Sequence, residues 1–474
     1  MNAIAWRTNR VTVLIVGLAI IGAPLMGVLV SSHGLDIFVW TAAGIAFFVV
    51  LVRPRVGLYA MLFLVPLQNL VILEGGTLVR FVGMGVAGAW ALSKLARGEP
   101  IRPLLKGPLV TPILVFLYLA GISVLWAEFT TWRVAMFSLV QLVVWVFILI
   151  DLIDSPQRLE TALFSLLLGC LVSAGAIIYD FFRFSEAGGL LYRPEGGHGD
   201  PNYSSSTFLV ILPFVIHWMR HRRGWQWLTG VGVVALLNLA AGLTVSRTAL
   251  LIIAVLFALQ FISLTNERGG KVKYLMAIAL VVLLVVPLLP WQHLDYRFSM
   301  AWTGSPAVDL GGRLWLAQIG WRRFLQSPIW GRGFGRIERN FAIYHNLFIQ
   351  MMVELGIPGL LSMVWIWAVS WRNLSKARRG AMTLGEARLA SLLSALRLSL
   401  VVYFLFSLTV SNDHVRTLWL MFALAEIGRR TVVKARAVRE GEAPSAETRS
   451  MSGSLVNRTR QLPAEVDRMG RASV

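Results

Sequence analysis

Apolar runs of about 20 residues recur along nearly the whole chain, near 11–32, 35–52, 56–73, 77–96, 108–127, 132–153, 159–182, 204–219, 226–243, 247–265, 272–290, 345–371, 390–411 and 415–428. Each can cross roughly 30 Å of hydrocarbon as a helix. A bilayer accepts only helices or closed barrels, because no water is present there to pair a bare backbone; runs of this length select helices. The sequence therefore predicts an all-α polytopic membrane protein with about 12–14 transmembrane helices, fourteen runs being counted. With 57% apolar residues, 14% charged ones and a mean hydropathy of +0.69, composition excludes a soluble globule, since ordinary domains carry about 25% charge. The first run is long and leads straight into the second, so it is expected to stay as a signal anchor.

Orientation follows from the basic residues in the short connections. An inside N-terminus puts Arg53/Arg55, Arg97/Arg102/Lys106, Arg220/Arg222/Arg223, Arg268/Lys271/Lys273, Arg372/Lys376/Arg378/Arg379/Arg388 and Arg429/Arg430/Lys434 on the cytoplasmic side. The net charge of +20 is thus a topology and anionic-lipid signal, and it calls for no nucleic-acid partner. The single cysteine, Cys170, lies in an apolar run and offers neither a disulfide framework nor a thiol ligand set. Residues 1–436 form one membrane domain, and the polar stretch 437–474 is expected to be a disordered cytoplasmic tail.

Two connections on the outer, periplasmic side are too long to be turns, about 183–203 and 291–344, and long loops retained in compact proteins usually carry function. The second holds Arg297, Arg313, Arg322, Arg323, Arg332, Arg336 and Arg339 against Asp295, Asp309 and Glu338. That excess of cations attracts anions on the side where topology asks for none. Within it, residues 311–328 repeat apolar positions at three- and four-residue spacing, which predicts an amphipathic helix on the outer leaflet. Arg313 falls in its first turn, where the helix dipole opposes a cation and a bound phosphate would relieve the conflict. The segment 243–255 repeats the pattern, with Ser246 able to cap a helix and Arg247 in its first turn. Snorkelling to lipid headgroups is the other reading of both arginines. The turn-rich 327–335 resembles a Gly-rich phosphate loop only superficially.

In the first outer loop, residues 192–206 bring Arg193, His198, Asp200 and Asn202 together around Gly and Pro. Asn202 or Ser204 can cap the next helix. Two or three mixed ligands make weak evidence for a metal, so no metal and no cofactor are expected.

The run 344–359 is unusual for a span, since it carries His345, Asn346 and Glu354 and ends in Gly-x-x-Gly. His345, at a wet interface beside the arginine-rich loop, has the chemistry of a general base, with nearby arginine holding the ring neutral. Asn346 can donate to an oxygen of a polar substrate. Glu354, nine positions on, falls on the opposite face of a straight helix and needs a cation or donor of its own. An interfacial structural histidine is the competing reading, and Gly356 and Gly359 fit close helix packing.

Residues 311–335 (GGRLWLAQIGWRRFLQSPIWGRGFG), followed by YHNLFIQMMVELGIPG, resemble the C-terminal region of the O-antigen ligase and polymerase family of bacterial envelope glycosyltransferases. The upstream GDPNYSSSTFLVILPF and VSRTALLIIAV are similar to segments that precede it there. The resemblance covers roughly residues 190–360 by motif. It implies transfer of an undecaprenyl-diphosphate-linked glycan to a hydroxyl at the periplasmic face, with neither a nucleotide sugar nor a required metal. By motif it makes His345 the base and Arg193, Arg247 and Arg313 the diphosphate ligands, with Asn202 and Asn346 added as substrate contacts. The family's ligases commonly have about twelve spans, against fourteen runs here. The acceptor would be lipid A core in a ligase, or another lipid-linked glycan in a repeat-unit polymerase. A flippase or transporter is the alternative from another class; it calls for inverted repeats and ionisable groups at the midplane, whereas polar residues here gather at the outer ends.

Overall fold

The computed structural model describes residues 48–441 apart from 51, 70–71, 74–75, 128, 264–267, 303–309 and 336–343. The signal-anchor run, almost all of the run near 35–52, the tail from 442, and Asp309, Arg336, Glu338 and Arg339 lie outside these residues. In chain order the helices are α1 (Pro54–Leu64), α2 (Leu78–Arg97), α3 (Val110–Ile122), α4 (Phe129–Leu152), α5 (Pro156–Gly188), α6 (Pro201–Arg220) and α7 (Trp225–Leu243). They continue as α8 (Arg247–Ser263), α9 (Arg268–Val285), α10 (Trp291–Trp302), α11 (Leu310–Gln326), α12 (Leu347–Thr383), α13 (Ala387–Ser407) and α14 (Arg416–Arg439). Two-residue strands, Ile72–Leu73 and Gly76–Thr77, form a small antiparallel pair ahead of α2. The protein is an all-α polytopic membrane protein.

Seven of the described helices are long and apolar enough to cross a membrane, and Pro54–Leu67, Val110–Leu125 and Arg247–Ile262 are shorter apolar helices. The runs near 204–219 and 415–428 became α6 and α14, which are enclosed by protein over most of their length. That enclosure explains their polarity: Ser204, Ser205, Ser206, Thr207, His217 and Glu426 are all buried, and each finds its partner inside the bundle instead of meeting lipid. Helix α6 packs on α7, α8 and α13, while α14 packs on α4, α12 and α13. Trp419 and Phe422 of α14 meet Phe116 and Trp367 in a cluster of edge and tilted ring contacts at 5.2–6.2 Å. Leu92, Leu168, Leu251, Leu283 and Leu361 are exposed, as lipid-facing side chains must be.

The basic connection 98–109 and the turn 384–386 meet the C-terminal part of α14 at one end of the bundle. There Glu426, fully buried, accepts from Arg429, Arg430 and Asn373, and Lys94 bridges to Asp151, tying α2 to α4. The opposite end carries the starts of α2, α6, α8, α12 and α14 and holds the polar groups discussed below. Helix α5 runs to Gly188, so the first outer loop is shorter than read from sequence, and α14 runs to Arg439, past the expected start of the tail.

Helix α12 is not straight: Gly356 has φ 68° and ψ −159°, and Pro358 follows. Proline lacks an N–H, so the Glu354 carbonyl loses its usual partner. The return segment 328–335 repairs the break. Gly333 N donates to Glu354 O at 3.0 Å, Arg332 N to Val353 O at 2.9 Å, and Ile357 N turns outward to Pro328 O at 2.8 Å. The Glu354 carboxylate accepts from Gln350 Nε2 at 2.8 Å and Gly335 N at 3.2 Å. The glutamate is therefore held by donors from its own helix and from the returning chain. A Cβ on Gly356 would lie 2.4 Å from Ile329 O, and one on Gly331, itself at φ 66°, would lie 2.3 Å from Glu354 O. Two backbones touch here because neither residue has a side chain.

Candidate functional site

The turn between α7 and α8, residues 244–248, collects three arginines. Val245 occupies it at φ 51°, a left-handed conformation that costs a β-branched residue about 1–3 kcal/mol. Ser246 then caps α8 as expected, its Oγ accepting from Ala249 N at 3.3 Å. From the first outer loop, Arg193 donates through Nε to Thr244 O at 2.9 Å and through Nη2 to Asn202 Oδ1 at 3.0 Å. The Ser246 hydroxyl donates to the same Asn202 oxygen at 2.9 Å. Arg247 lies in the turn and reaches the Arg297 carbonyl of α10 at 3.1 Å. Arg313, in the first turn of α11, donates to Thr248 Oγ1 at 3.3 Å. Arg193, Asn202, Arg247 and Arg313 are thus brought together from four elements.

The cap of α6 is Asp200, whose carboxylate accepts from Asn202 N at 2.6 Å and Tyr203 N at 3.3 Å. Neither Asn202 nor Ser204 does this work. Ser204 donates to Glu195 O, and Asn202 is freed to position Arg193.

His345 and Asn346 stand at the neighbouring start of α12. His345 is half-buried and, with Val245, is one of two non-glycine residues at positive φ among the described residues, again at 51°. Asn346 caps α12, accepting from Phe348 N at 2.9 Å and Ile349 N at 3.0 Å, while its Nδ2 donates to Leu408 O. Its side chain is occupied in setting the backbone that carries His345. On one side Arg323 of α11 donates to the Tyr344 hydroxyl at 3.0 Å. On the other, Asn346 N reaches Ser411 Oγ, and the Ser411 carbonyl accepts from Tyr203 Oη at 2.7 Å. Tyr203 adjoins Asn202, so this chain of contacts joins the histidine's helix start to the arginine turn. Glu354 serves the kink, through Gln350 and Gly335.

Sequence reading offered Asp413 of the connection 408–415 as a substitute base, with His198 and Asp200, but missed His414. His414 lies 3.6 Å from Asp413 through Nδ1 and 3.4 Å from the Tyr203 hydroxyl through Nε2. Burial would lower the imidazole, but the Asp413 carboxylate outweighs it and holds His414 above its usual value. A histidine so biased toward its charged form adds positive potential. His198 is the reverse case: it is 2% exposed, Gln68 Nε2 donates to its Nδ1 at 2.9 Å, and its Nε2 faces Thr207 Oγ1 at 3.3 Å. Burial, with the Arg416 charge adding to it, pushes it down to about 4, so it stays neutral. The polar run SNDHVR at 411–416, between two apolar spans, was the signal available for this connection.

Among the described residues no group of His, Cys, Asp and Glu has the arrangement of a metal site.

These features define a polytopic helical membrane protein in which Arg193, Arg247 and Arg313 collect around one turn at one end of the bundle. Residues 231–364 match the family model described as O-antigen ligase. The match supports the O-antigen ligase and polymerase family for this stretch, and ligase-type glycosyl transfer in general. It contains Arg247, Arg313, His345 and Asn346; Arg193 and Asn202 lie ahead of it and join through the contacts above. No curated protein matches the sequence.

Proposed function

We propose that the protein transfers a glycan from undecaprenyl diphosphate to an acceptor hydroxyl at the periplasmic face of the inner membrane, as an inverting O-antigen ligase does. The observation that carries this reading is the convergence of Arg193, Arg247 and Arg313 on one five-residue turn, at the end of the bundle away from the basic connections. The acceptor oxygen attacks the anomeric carbon opposite the diphosphate, and the bond from that carbon to the diphosphate oxygen breaks with its electron pair. The arginines take up the charge that develops on the leaving diphosphate, so the proposal needs no metal. The hydroxyl proton passes to His345. One displacement inverts the sugar centre. His414 is the weaker choice of base, because Asp413 favours its protonated form.

The test is full-length protein in phosphatidylcholine liposomes with an undecaprenyl-diphosphate glycan as donor and lipid A core as acceptor. The reading expects glycosylated lipid A core with inverted anomeric configuration. Elongation of the lipid-linked donor without transfer to lipid A core would identify a polymerase; passage of donor across the bilayer with neither product would identify a flippase.

A further inference from the structure

A cavity of about 510 Å³ lies between α2 and α4 at the site end of the bundle. Its outer wall is polar: Gln68, Asn69, Arg80, His198, His414 and Arg416. No carboxylate lines it among the described residues. Arg416 donates to Gln68 Oε1 at 2.6 Å, and Arg80 lies over the Phe137 ring at 4.9 Å. Among the described residues neither guanidinium has an ion-pair partner, although both enter one half-enclosed space. Like charges placed together away from bulk water repel, and an anion between them removes the penalty.

The inner wall is different in kind. Gly83, Met84, Ala87, Val140, Val144 and Ile148 line it along α2 and α4, and Met84, Val140 and Val144 are exposed. The two helices are tied at the basic end by Lys94 and Trp90 to Asp151 and at the site end by Arg80 over Phe137. Between these ties the cavity is half-open, with exposed apolar side chains from both helices. A cationic head and an apolar side door suit a molecule with an anionic head and a hydrocarbon chain.

We infer that this cavity binds a phosphate-bearing membrane lipid, with its phosphate between Arg80 and Arg416 and its chain leaving between α2 and α4. It is a second lipid-phosphate site beside the arginine turn, and it rests on the proposed transfer only in taking the turn as the first. Both substrates of such a reaction are held by the membrane, and two separate phosphate sites let them meet without competing.

The test is native mass spectrometry of full-length protein in phosphatidylcholine nanodiscs, with undecaprenyl phosphate and dioleoyl phosphatidic acid as separate probes. Wild type should take up two phosphate lipids. Arg80→Gln and Arg416→Gln should each weaken one of the two binding steps about tenfold or more, the loss expected from removing a charge-assisted contact, and Arg80→Lys should recover part of it. Val144→Trp, at an exposed position, should obstruct the chain without disturbing the fold. Stronger binding of the polyprenyl probe would mark a carrier-lipid site, and stronger binding of the diacyl probe an acylated-lipid site; either supports the inference. Uptake of both equivalents by Arg80→Gln and Val144→Trp with wild-type affinity would overturn it. Because the readout is binding, a protein that proves inactive in transfer still decides the matter.

Discussion

Arg193 and Asn202 are bonded side chain to side chain, 3.0 Å from Nη2 to Oδ1, and the same Asn202 oxygen takes the hydroxyl of Ser246 at 2.9 Å. One carboxamide thereby sets an arginine from the outer loop against the capping residue of α8. Asn202 is buried, so removing its oxygen leaves two donors without their acceptor, at a cost of about 1–3 kcal/mol. Asn202→Ala should raise the donor KM several-fold through Arg193, with a smaller change in kcat, measured in reconstituted liposomes. Asn202→Asp keeps the acceptors but pairs Arg193 with a carboxylate, and it should raise KM further.

Arg247 and Arg313 reach the site from different helices. Each Arg→Ala should reduce transfer strongly while membrane insertion persists, and each Arg→Lys should restore part of it, since lysine keeps charge but loses the planar fork. Wild-type turnover in either alanine variant would remove that arginine from the diphosphate site and leave it to lipid headgroups.

Glu354 and Gly356 bear on stability. Glu354→Ala should orphan Gly335 N and Gln350 Nε2 and lower stability by about 1–3 kcal/mol, while Glu354→Gln keeps an acceptor oxygen and should cost less. Gly356→Ala forces a side chain into the Ile329 carbonyl and a non-glycine residue into positive φ, so it should be the most damaging of the three. Thermal midpoints in detergent rank them.

His198 gives the fold a pH dependence. Its folded value of about 4 lies below the ordinary 6.5, so between those values the unfolded chain binds a proton that the folded chain refuses. Stability from this group is complete above about pH 6.5 and is lost as pH falls toward 4. His198→Gln should flatten the fall of the thermal midpoint across that window; an unchanged slope would show that other groups set it.

The spans were legible because hydrophobic length is a local property, and so was the start of α8, where Ser246 caps and Arg247 follows as the spacing requires. Helix α11 spans Leu310–Gln326 against a reading of 311–328. What escaped depends on distant chain segments. Glu354 reads as an unexplained buried acid until residues 328–335 fold back onto its kink. Asp200 takes the cap because the helix starts at Pro201, which leaves Asn202 inside the first turn, where it binds Arg193 and Ser246. The cavity between α2 and α4 joins Gln68 to Arg416, 348 positions apart, a separation no periodicity can report.

The most direct test of the account is the behaviour of His345 with binding and turnover measured separately. His345 sits at φ 51°, a conformation glycine adopts without strain, so His345→Gly removes the imidazole while leaving the start of α12 in place. His345→Gln keeps a hydrogen-bonding group that cannot take up a proton at neutral pH. In both variants the account expects donor binding to persist, transfer to fall about 10²–10⁴-fold, and undecaprenyl-diphosphate glycan to accumulate. Normal transfer by His345→Gln, with a flat profile between about pH 5.5 and 8, would contradict the base assignment and make His345 a structural residue at the head of α12.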